Sequence, residues 1–256
     1  MITDNLQEIL ETAVARINRP EFAMNDPVQF PRRFSAATDI EIVSLLISHI
    51  AWGKREMICR DSERLLEILG DSPTDFVLRG PIEDIDPERN IHRTFFGRDL
   101  IYFLCGLRQV YKRYGSLEAF GAAIGIAASE FPSWKLAEGL NAAMAEASEG
   151  GFQSIRCLPA NLESTALKRL NMALRWLVRR DGIVDMGIWN VITPAQLYIP
   201  LDVHVADTSR SLGLLTRAGN DRKAVVQLTG ALRRFDPADP VKYDFALFGI
   251  GIGDKA

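Results

Sequence analysis

Helical periodicity of the apolar residues is the feature that most restricts the fold of this chain. Between Leu6 and Ile17, leucine, valine and isoleucine recur at spacings of four, four and three, which places them on one face of an α-helix. Similar spacing continues through most of the sequence. Only the pieces 183–184 and 197–201 look extended, and no segment alternates apolar and polar residues over the length of a sheet strand. The pattern predicts an all-α fold.

The size and composition are those of an ordinary globular protein. The chain has 256 residues, of which 47% are hydrophobic and 25% are charged, and these fractions exclude disordered, collagen-like and coiled-coil chains. The longest apolar stretch, Ile42–Trp52, is interrupted by serines and a histidine and falls short of the roughly 20 apolar residues that cross a bilayer. The acidic N-terminal segment does not resemble a secretory signal. We therefore expect a cytoplasmic protein without a membrane partner.

Three widely separated cysteines, Cys59, Cys105 and Cys157, lie within apolar patterns. Their spacing gives neither a disulfide framework nor a CxxC motif for zinc or an iron–sulfur cluster. The simplest interpretation is three buried thiols in a reducing compartment. We expect no metal and no other cofactor.

The charge is unevenly distributed along the chain. Acids exceed bases by seven from residue 1 to 150, whereas bases exceed acids by four from residue 151 to 256. The stretch from Arg156 to Arg180 contains six basic residues and one acid. This polarity is typical of a protein that meets a polyanion with one face, although it also occurs in proteins that bind none.

A predicted helix from about Thr165 to Arg179 carries much of this positive charge. Ser164 is a suitable N-cap, and an apolar stripe follows it at spacings of four, three and four. Lys168 lies on the opposite face of that helix, together with Arg175 and Arg179. The face is either a solvated basic surface or a surface that binds phosphate near the helix N-terminus.

A second predicted helix begins at Asp202, after a short extended apolar segment. Capping explains this aspartate fully, because an N-cap carboxylate accepts hydrogen bonds from the first turn. The alternative is a catalytic carboxylate that stabilises a cation or accepts a proton. His204, two residues later, is either a semi-buried structural histidine or part of the same site.

These two segments carry a resemblance to a known superfamily. Leu201-Asp202-Val203-His204-Val205-Ala206, followed by Leu212-Gly213-Leu214, resembles the catalytic-aspartate segment of the helix-hairpin-helix DNA glycosylases, of which endonuclease III is a member. The separation of 34 residues between Lys168 and Asp202, and the segment Ala166–Ala173, are similar to the archaeal 8-oxoguanine glycosylase branch. The whole chain, especially Arg169–Trp176 and Asp236–Gly251, also resembles an uncharacterised bacterial family distantly related to this superfamily.

The resemblance implies a two-lobed helical fold and a DNA repair activity. A central lobe over residues 34–182 would carry the lysine helix, and residues 1–33 plus 183–256 would form a second lobe that carries the aspartate. A damaged nucleotide would be flipped out of double-stranded DNA into a cleft between the lobes. Lys168 would then attack C1′ of the sugar to form a Schiff base, with Asp202 as its electrostatic partner. The expected protein is a monomer, associated with the nucleoid when it is bound to DNA, that excises an oxidised purine such as 8-oxoguanine.

The resemblance also implies further site residues, although the motifs that carry them are less specific. The expected base-pocket residues are His49, Trp52 and His204, and the expected DNA-backbone contacts are Ser164, Arg169, Arg175 and Arg179.

The sequence also departs from the superfamily pattern. Leu158-Pro159 lacks the glycines of the usual phosphate-binding hairpin, and Asp207 stands where relatives often carry an arginine. Two alternatives therefore remain open: a DNA-binding or scaffolding protein of the same helical fold without base excision, and an unrelated helical enzyme or interaction protein.

Overall fold

A computed structural model describes residues 2–251 and 253, with side chains from residue 5 onward. Over these residues the chain is predominantly helical, which confirms the predicted all-α class. In chain order the α-helices are α1 (Ile2–Ile17), α2 (Pro20–Asn25), α3 (Ala37–Ile50), α4 (Arg55–Leu69), α5 (Pro73–Arg79), α6 (Gly97–Tyr114), α7 (Leu117–Ala123), α8 (Pro132–Ala147), α9 (Lys168–Val178), α10 (Val203–Ser211), α11 (Arg222–Leu232) and α12 (Tyr243–Gly251).

The strands of the described chain form one small antiparallel hairpin, β1 (Asn90–His92) with β2 (Phe95–Phe96). No sequence pattern indicated this hairpin, because each strand is only two or three residues long. Leu197–Leu201, which looked extended in the sequence, lies outside the helices and strands. The Ile199 N–H donates to the Thr229 hydroxyl at 3.2 Å. In the described chain, no helix combines the length and the apolarity that a membrane span requires.

The chain divides into two compact units. The middle unit is Asp26–Ala160, and the terminal unit combines Met1–Asn25 with Asn161–Ala256. This division differs from the predicted lobes, residues 34–182 and residues 1–33 plus 183–256, because α9 belongs to the terminal unit. The boundary near residue 160 instead follows the Gly150-Gly151 and Pro159 breaks in the sequence. The lysine helix and the aspartate helix consequently lie in one unit.

Acids at the start of α3 organise the middle unit. Asp39 accepts hydrogen bonds from the N–H of Thr74 at 2.7 Å and from its hydroxyl at 2.6 Å, so it caps α5. Glu41 accepts hydrogen bonds from the N–H groups of Leu117 and Glu118 at 2.8 and 2.9 Å, so it caps α7. Buried carboxylates at helix N-termini are stabilised by the free N–H groups and by the helix dipole. Hydrogen bonds between helices therefore stabilise the unit in addition to its apolar core.

Helix α12 is the centre of the terminal unit, where α1 and α10 pack against it. Two glycines allow this close approach. A Cβ atom at Gly249 would lie 2.5 Å from Cγ1 of Ile17 in α1, and one at Gly251 would lie 2.6 Å from Oγ1 of Thr208 in α10. Since real Cβ atoms do not approach other atoms so closely, the two helices can pack against α12 only because it lacks side chains at these points. The packing fixes α10, and hence its first turn, within the unit.

Candidate functional site

The terminal unit brings Lys168 and Asp202 together. The Lys168 Nζ atom lies 3.8 Å from the Asp202 Oδ2 atom, although 34 residues separate them in sequence. Each side chain is 29% exposed, so both groups are accessible to a ligand while most of each side chain is packed. The distance is that of an ion pair and is longer than a hydrogen bond, so an amine and a carboxylate in this arrangement can exchange a proton through one water molecule and can together stabilise a charged intermediate.

Asp202 is oriented by the local fold of its segment. The buried residues Leu197–Leu201 lead into it, and the Asp202 Oδ1 atom accepts a hydrogen bond from the Val205 N–H at 2.9 Å. Asp202 is therefore the N-cap of α10, as its position in the sequence predicts. Because Oδ1 is used for capping, Oδ2 is the oxygen that faces the amine. The dipole of α10 favours a negative charge at this end.

Lys168 is the first residue of α9, three residues later than the sequence predicted for the helix start. The predicted N-cap Ser164 is wrong: Ser164 is exposed in a turn, where its backbone N–H donates to the Asn161 side chain at 3.4 Å. The residue before the lysine, Leu167, has a left-handed conformation (φ 47°, ψ 36°). Arg169, which follows the lysine, is half-buried. α9 therefore starts after a left-handed residue and without a side-chain cap. We call the two peptide groups on either side of Leu167 the backbone joint.

The first turn of α10 adds an apolar surface next to the acid. Val203 is 62% exposed, and His204 is exposed beside it. Single exposed apolar residues are common on protein surfaces, so Val203 is notable only for its position beside Asp202. Sequence analysis selected His204 and overlooked Val203, because a valine after an N-cap looks like an ordinary helix residue.

Arg175 and Arg179 correct a sequence prediction. They are 4% and 5% exposed, so they are not available to bind a DNA backbone as the periodicity suggested. The Arg175 Nε atom donates to Asp185 at 3.2 Å, and its Nη1 atom donates to Asp244. The guanidinium carbon of Arg175 also lies 4.4 Å from the centroid of the Phe245 ring. Both arginines lie on the predicted basic face, but aspartates of the same unit cover that face and pair with them.

Arg179 lies in the same buried cluster. Its Nε atom donates to Asp239 at 2.7 Å, and its Nη1 atom donates to Asp185 at 2.9 Å and to Asp181. Burial alone would lower the pKa of the Arg179 guanidinium, but the charges of Asp185 and Asp239 outweigh burial and raise it. Burial raises the pKa of the enclosed Asp185 carboxyl despite both arginines. We call these six residues the aspartate–arginine cluster: Arg175, Arg179, Asp181, Asp185, Asp239 and Asp244.

Asp244 links this cluster electrostatically to the candidate site. Burial raises its pKa to about 6, while the charge of Arg175 acts in the opposite direction. The charges of Asp202 and Lys168 also act on this carboxyl. Sequence analysis did not assign Asp244 a role. The available signal was a single acid in the otherwise apolar sequence of α12.

The other two predicted base-pocket residues belong to the middle unit. His49 is 3% exposed, and its ring lies 5.0 Å from the Phe95 ring and 5.2 Å from the Phe103 ring, between centroids. It packs in an aromatic core. Trp52 is half-buried, and the ring of His92 contacts it at 4.5 Å between centroids. His49 is therefore a packing residue within its unit, whereas Trp52 keeps an exposed part.

His92 is buried and joins two parts of the middle unit. Its Nδ1 atom lies 2.8 Å from the Asp61 carboxylate, and its Nε2 atom lies 2.8 Å from the Trp52 carbonyl oxygen. Burial alone would raise the pKa of Asp61, but hydrogen bonds from His92 and Arg60 outweigh it and lower the pKa. Among the described residues, no group of three or more histidine, cysteine, aspartate or glutamate side chains has an arrangement suited to a metal ion.

Comparison with known proteins identifies the family of this chain. No curated protein and no solved structure is significantly similar to it. Residues 26–253 match the family model described as "Protein of unknown function (DUF2400)". The matched range includes the whole middle unit and all the site residues named above in the terminal unit. The chain therefore belongs to the DUF2400 family.

Proposed function

We propose that this protein is a DNA repair glycosylase with abasic-site lyase activity, which excises an oxidised purine such as 8-oxoguanine through a Schiff base on Lys168. The observation that carries the proposal is the approach of the Lys168 amine to the Asp202 carboxylate, 3.8 Å apart and both partly exposed. The resemblance of the Asp202 segment and the Lys168 segment to helix-hairpin-helix DNA glycosylases supplies the reaction class.

The reaction begins with a proton transfer and a substitution at C1′. Lys168 releases a proton to water while Asp202 stays ionised beside it, and the nitrogen lone pair then attacks C1′. The glycosidic bond breaks, its electron pair leaves with the base, and water protonates the departing base. The Asp202 charge stabilises the positive charge that develops on the sugar.

The lyase step follows from the covalent intermediate. The attached nitrogen releases one proton, and its lone pair then opens the sugar ring to give a protonated imine between Lys168 and C1′. The ring oxygen accepts the released proton. The imine acidifies the proton on C2′, the Asp202 carboxylate accepts that proton, and β-elimination expels the 3′-phosphate. Water finally hydrolyses the imine and restores the free amine. The residues required are one amine and one adjacent acid, which Lys168 and Asp202 provide.

The surroundings of the pair also suit a nucleoside. Val203 and His204 give the first turn of α10 an exposed apolar and aromatic surface, which can contact a base extruded from the duplex. Arg169 and Ser164, half-buried and exposed respectively, remain the proposed contacts to the DNA backbone on the lysine side.

The test is reductive trapping with borohydride on duplexes that carry either 8-oxoguanine or an abasic site. The wild-type protein should give a covalent adduct, and Lys168→Gln should give none. Asp202→Asn should lower the trapping rate by about 10²-fold. Asparagine is as good an N-cap as aspartate, so the first turn of α10 should remain folded.

A second capping aspartate provides the matched control. Asp221 is the N-cap of α11 in the same unit, and its Oδ1 atom accepts a hydrogen bond from the Ala224 N–H at 3.0 Å. Asp221→Asn should trap DNA at the wild-type rate. Absence of an adduct with either duplex, together with salt-dependent DNA affinity, would replace the proposal with the non-catalytic DNA-binding alternative. Absence of both the adduct and DNA binding at about 50 mM salt would exclude a DNA function.

A further inference from the structure

The backbone joint before Lys168 is strained. Leu167 has φ 47°, a left-handed conformation that is costly for a residue with a branched side chain. Among the described residues, Arg93 and Glu149 are the other non-glycine residues with positive φ, and both are exposed, whereas Leu167 is 5% exposed. Strain of this kind persists only where the surrounding structure enforces it.

Asn171 enforces the joint from within α9. Its side-chain Nδ2 atom donates to the Ala166 carbonyl oxygen at 3.0 Å, and its backbone N–H donates to the Leu167 carbonyl oxygen at 2.9 Å. On the other side, the Leu167 N–H donates to the Thr165 hydroxyl at 3.3 Å. Asn171 is 1% exposed, so its amide is committed to the interior. These bonds tie the two peptides before Lys168 to the helix that Lys168 begins.

The joint replaces the usual way of starting a helix. Leu167 is the N-cap residue of α9 and makes no side-chain capping hydrogen bond, although serine, threonine, aspartate or asparagine is favoured there. A left-handed N-cap directs the first helical residue differently from the extended backbone that caps α10 and α11. The residue placed by this unusual start is Lys168, whose amine faces Asp202.

We propose that the left-handed Leu167, held by the Asn171 side chain, positions the Lys168 amine for attack, and that Asn171 is a positioning residue of the site. The inference rests on the proposed function for the reaction that it serves. Reactions between oriented groups lose about 10²-fold in rate when a group is misplaced by about 1 Å, so the joint should act on the chemical step and leave DNA affinity unchanged.

The conformation of Leu167 is tested by two substitutions with opposite properties. Leu167→Gly accepts positive φ freely but removes the whole buried side chain. Leu167→Val keeps most of the apolar side chain, but a β-branched residue is a poor fit at positive φ. If the joint positions the lysine, the valine variant should trap abasic-site DNA about tenfold more slowly than the glycine variant. The opposite order would mean that buried side-chain area decides the effect, and would overturn the proposal.

The role of Asn171 is tested by Asn171→Leu, which keeps the side-chain size and removes the donor. Single-turnover trapping should slow by about tenfold to 10²-fold, with the dissociation constant for the same DNA changed by less than about twofold. The matched control is Asn18→Leu. Asn18 lies in the same unit, and its Nδ2 atom also donates a hydrogen bond, to Asp181 at 2.9 Å. Equal effects of the two substitutions on the trapping rate would overturn the proposal.

A spectroscopic measurement separates this inference from the proposed activity. The chain has seven lysines, and reductive methylation with ¹³C-formaldehyde gives each an NMR signal, with that of Lys168 identified by its loss in Lys168→Gln. Asp202→Asn should shift the Lys168 signal in the wild-type and Asn18→Leu backgrounds. In the Asn171→Leu background the shift should fall to less than half, since the amine no longer faces the acid. An unchanged shift overturns the inference even if the enzyme is active, whereas a wild-type protein that shows the coupling but traps no DNA refutes only the proposed function.

Discussion

The two ends of α9 carry basic residues with contrasting environments. Lys168 at the first turn is 29% exposed and lies 3.8 Å from one oxygen of Asp202. Arg175 and Arg179 toward the other end are almost completely buried and contact several aspartates. On a helical wheel all three residues share a face. Their difference shows that the environment of a charge depends on which carboxylates the rest of the chain brings to it.

The contrast also changes how the charge of the terminal unit should be understood. The segment from Arg156 to Arg180 looked like a basic surface, but two of its arginines are neutralised internally. A buried ion cluster of this kind costs desolvation energy and recovers it only through good hydrogen-bond geometry. Of these basic residues on α9, the accessible Lys168 is therefore the one whose charge can act on a ligand.

The largest effect should come from Lys168→Arg. An arginine keeps the positive charge but remains protonated at all accessible pH values, so it cannot act as a nucleophile. We expect the borohydride-trapped adduct to decrease by more than about 10³-fold, whereas the free energy of unfolding should change by less than about 1 kcal/mol. Quantified trapping and urea unfolding on the same preparation test both parts. A trapped adduct at the wild-type level would assign the nucleophile to another residue.

Arg175→Met should mainly reduce stability, whereas Lys168→Arg should mainly reduce trapping. The substitution leaves Asp185 and Asp244 buried without their shared cation, which should reduce the free energy of unfolding by about 3–5 kcal/mol. Urea unfolding followed by circular dichroism measures this loss. If Arg175→Met lowered DNA affinity and left stability unchanged, the description of the two ends of α9 as ligand-facing and structural would be wrong.

The pH dependence of stability should reveal Asp244. Its pKa is about 6 in the folded protein, against 3.8 for the unperturbed group. Between these values the folded state holds a proton that the unfolded chain has released, so this group's contribution to stability falls as pH rises from about 4 to above 6. The full change is on the order of 3 kcal/mol.

The measurement compares the wild type with Asp244→Asn, which cannot ionise. The difference in free energy of unfolding between the two proteins should move in favour of the asparagine variant as pH rises through this window. Parallel pH profiles for the two proteins would show that Asp244 titrates normally. Carboxylates that do not interact with Asp244 contribute equally to both proteins and cancel from this difference.

The smallest effect should come from an exposed ion pair in the middle unit. Arg33 donates two hydrogen bonds to Glu63, both at 2.7 Å, but the two side chains are 43% and 50% exposed. Hydrogen bonding and the charge of Arg33 lower the pKa of Glu63. After allowance for solvent screening, Arg33→Met should cost about 0.5 kcal/mol at low salt and less at 1 M salt. A loss comparable to that of Arg175→Met would show that burial does not separate the two kinds of pair.

The sequence predicts some levels of this structure better than others. Apolar spacing and capping residues are local signals, so they predict the helical class and the start of α10 at Asp202. The resemblance paired Lys168 with Asp202, and the structure places the two groups together. The link to DNA repair stays a prediction.

The parts that sequence reasoning missed depend on distant residues. The partners of Arg175 and Arg179 include Asp244 and Asp239, which are 69 and 60 residues further along the chain, and no local pattern indicates such contacts. The left-handed Leu167 was missed for a related reason, since leucine is not a residue expected at positive φ. Ser164 was a reasonable cap by residue type, but the joint held by Asn171 starts the helix instead.

Asp202 has one further consequence for the history of this family. Its two oxygens serve different purposes, one for the architecture of α10 and the other for the amine, and asparagine could replace the first role alone. Selection for a folded protein would then tolerate asparagine at this position, while selection for chemistry would not. If Lys168 and Asp202 act as we propose, the residue at this position should therefore separate family members that have a reactive amine–carboxylate pair from members that keep only the fold.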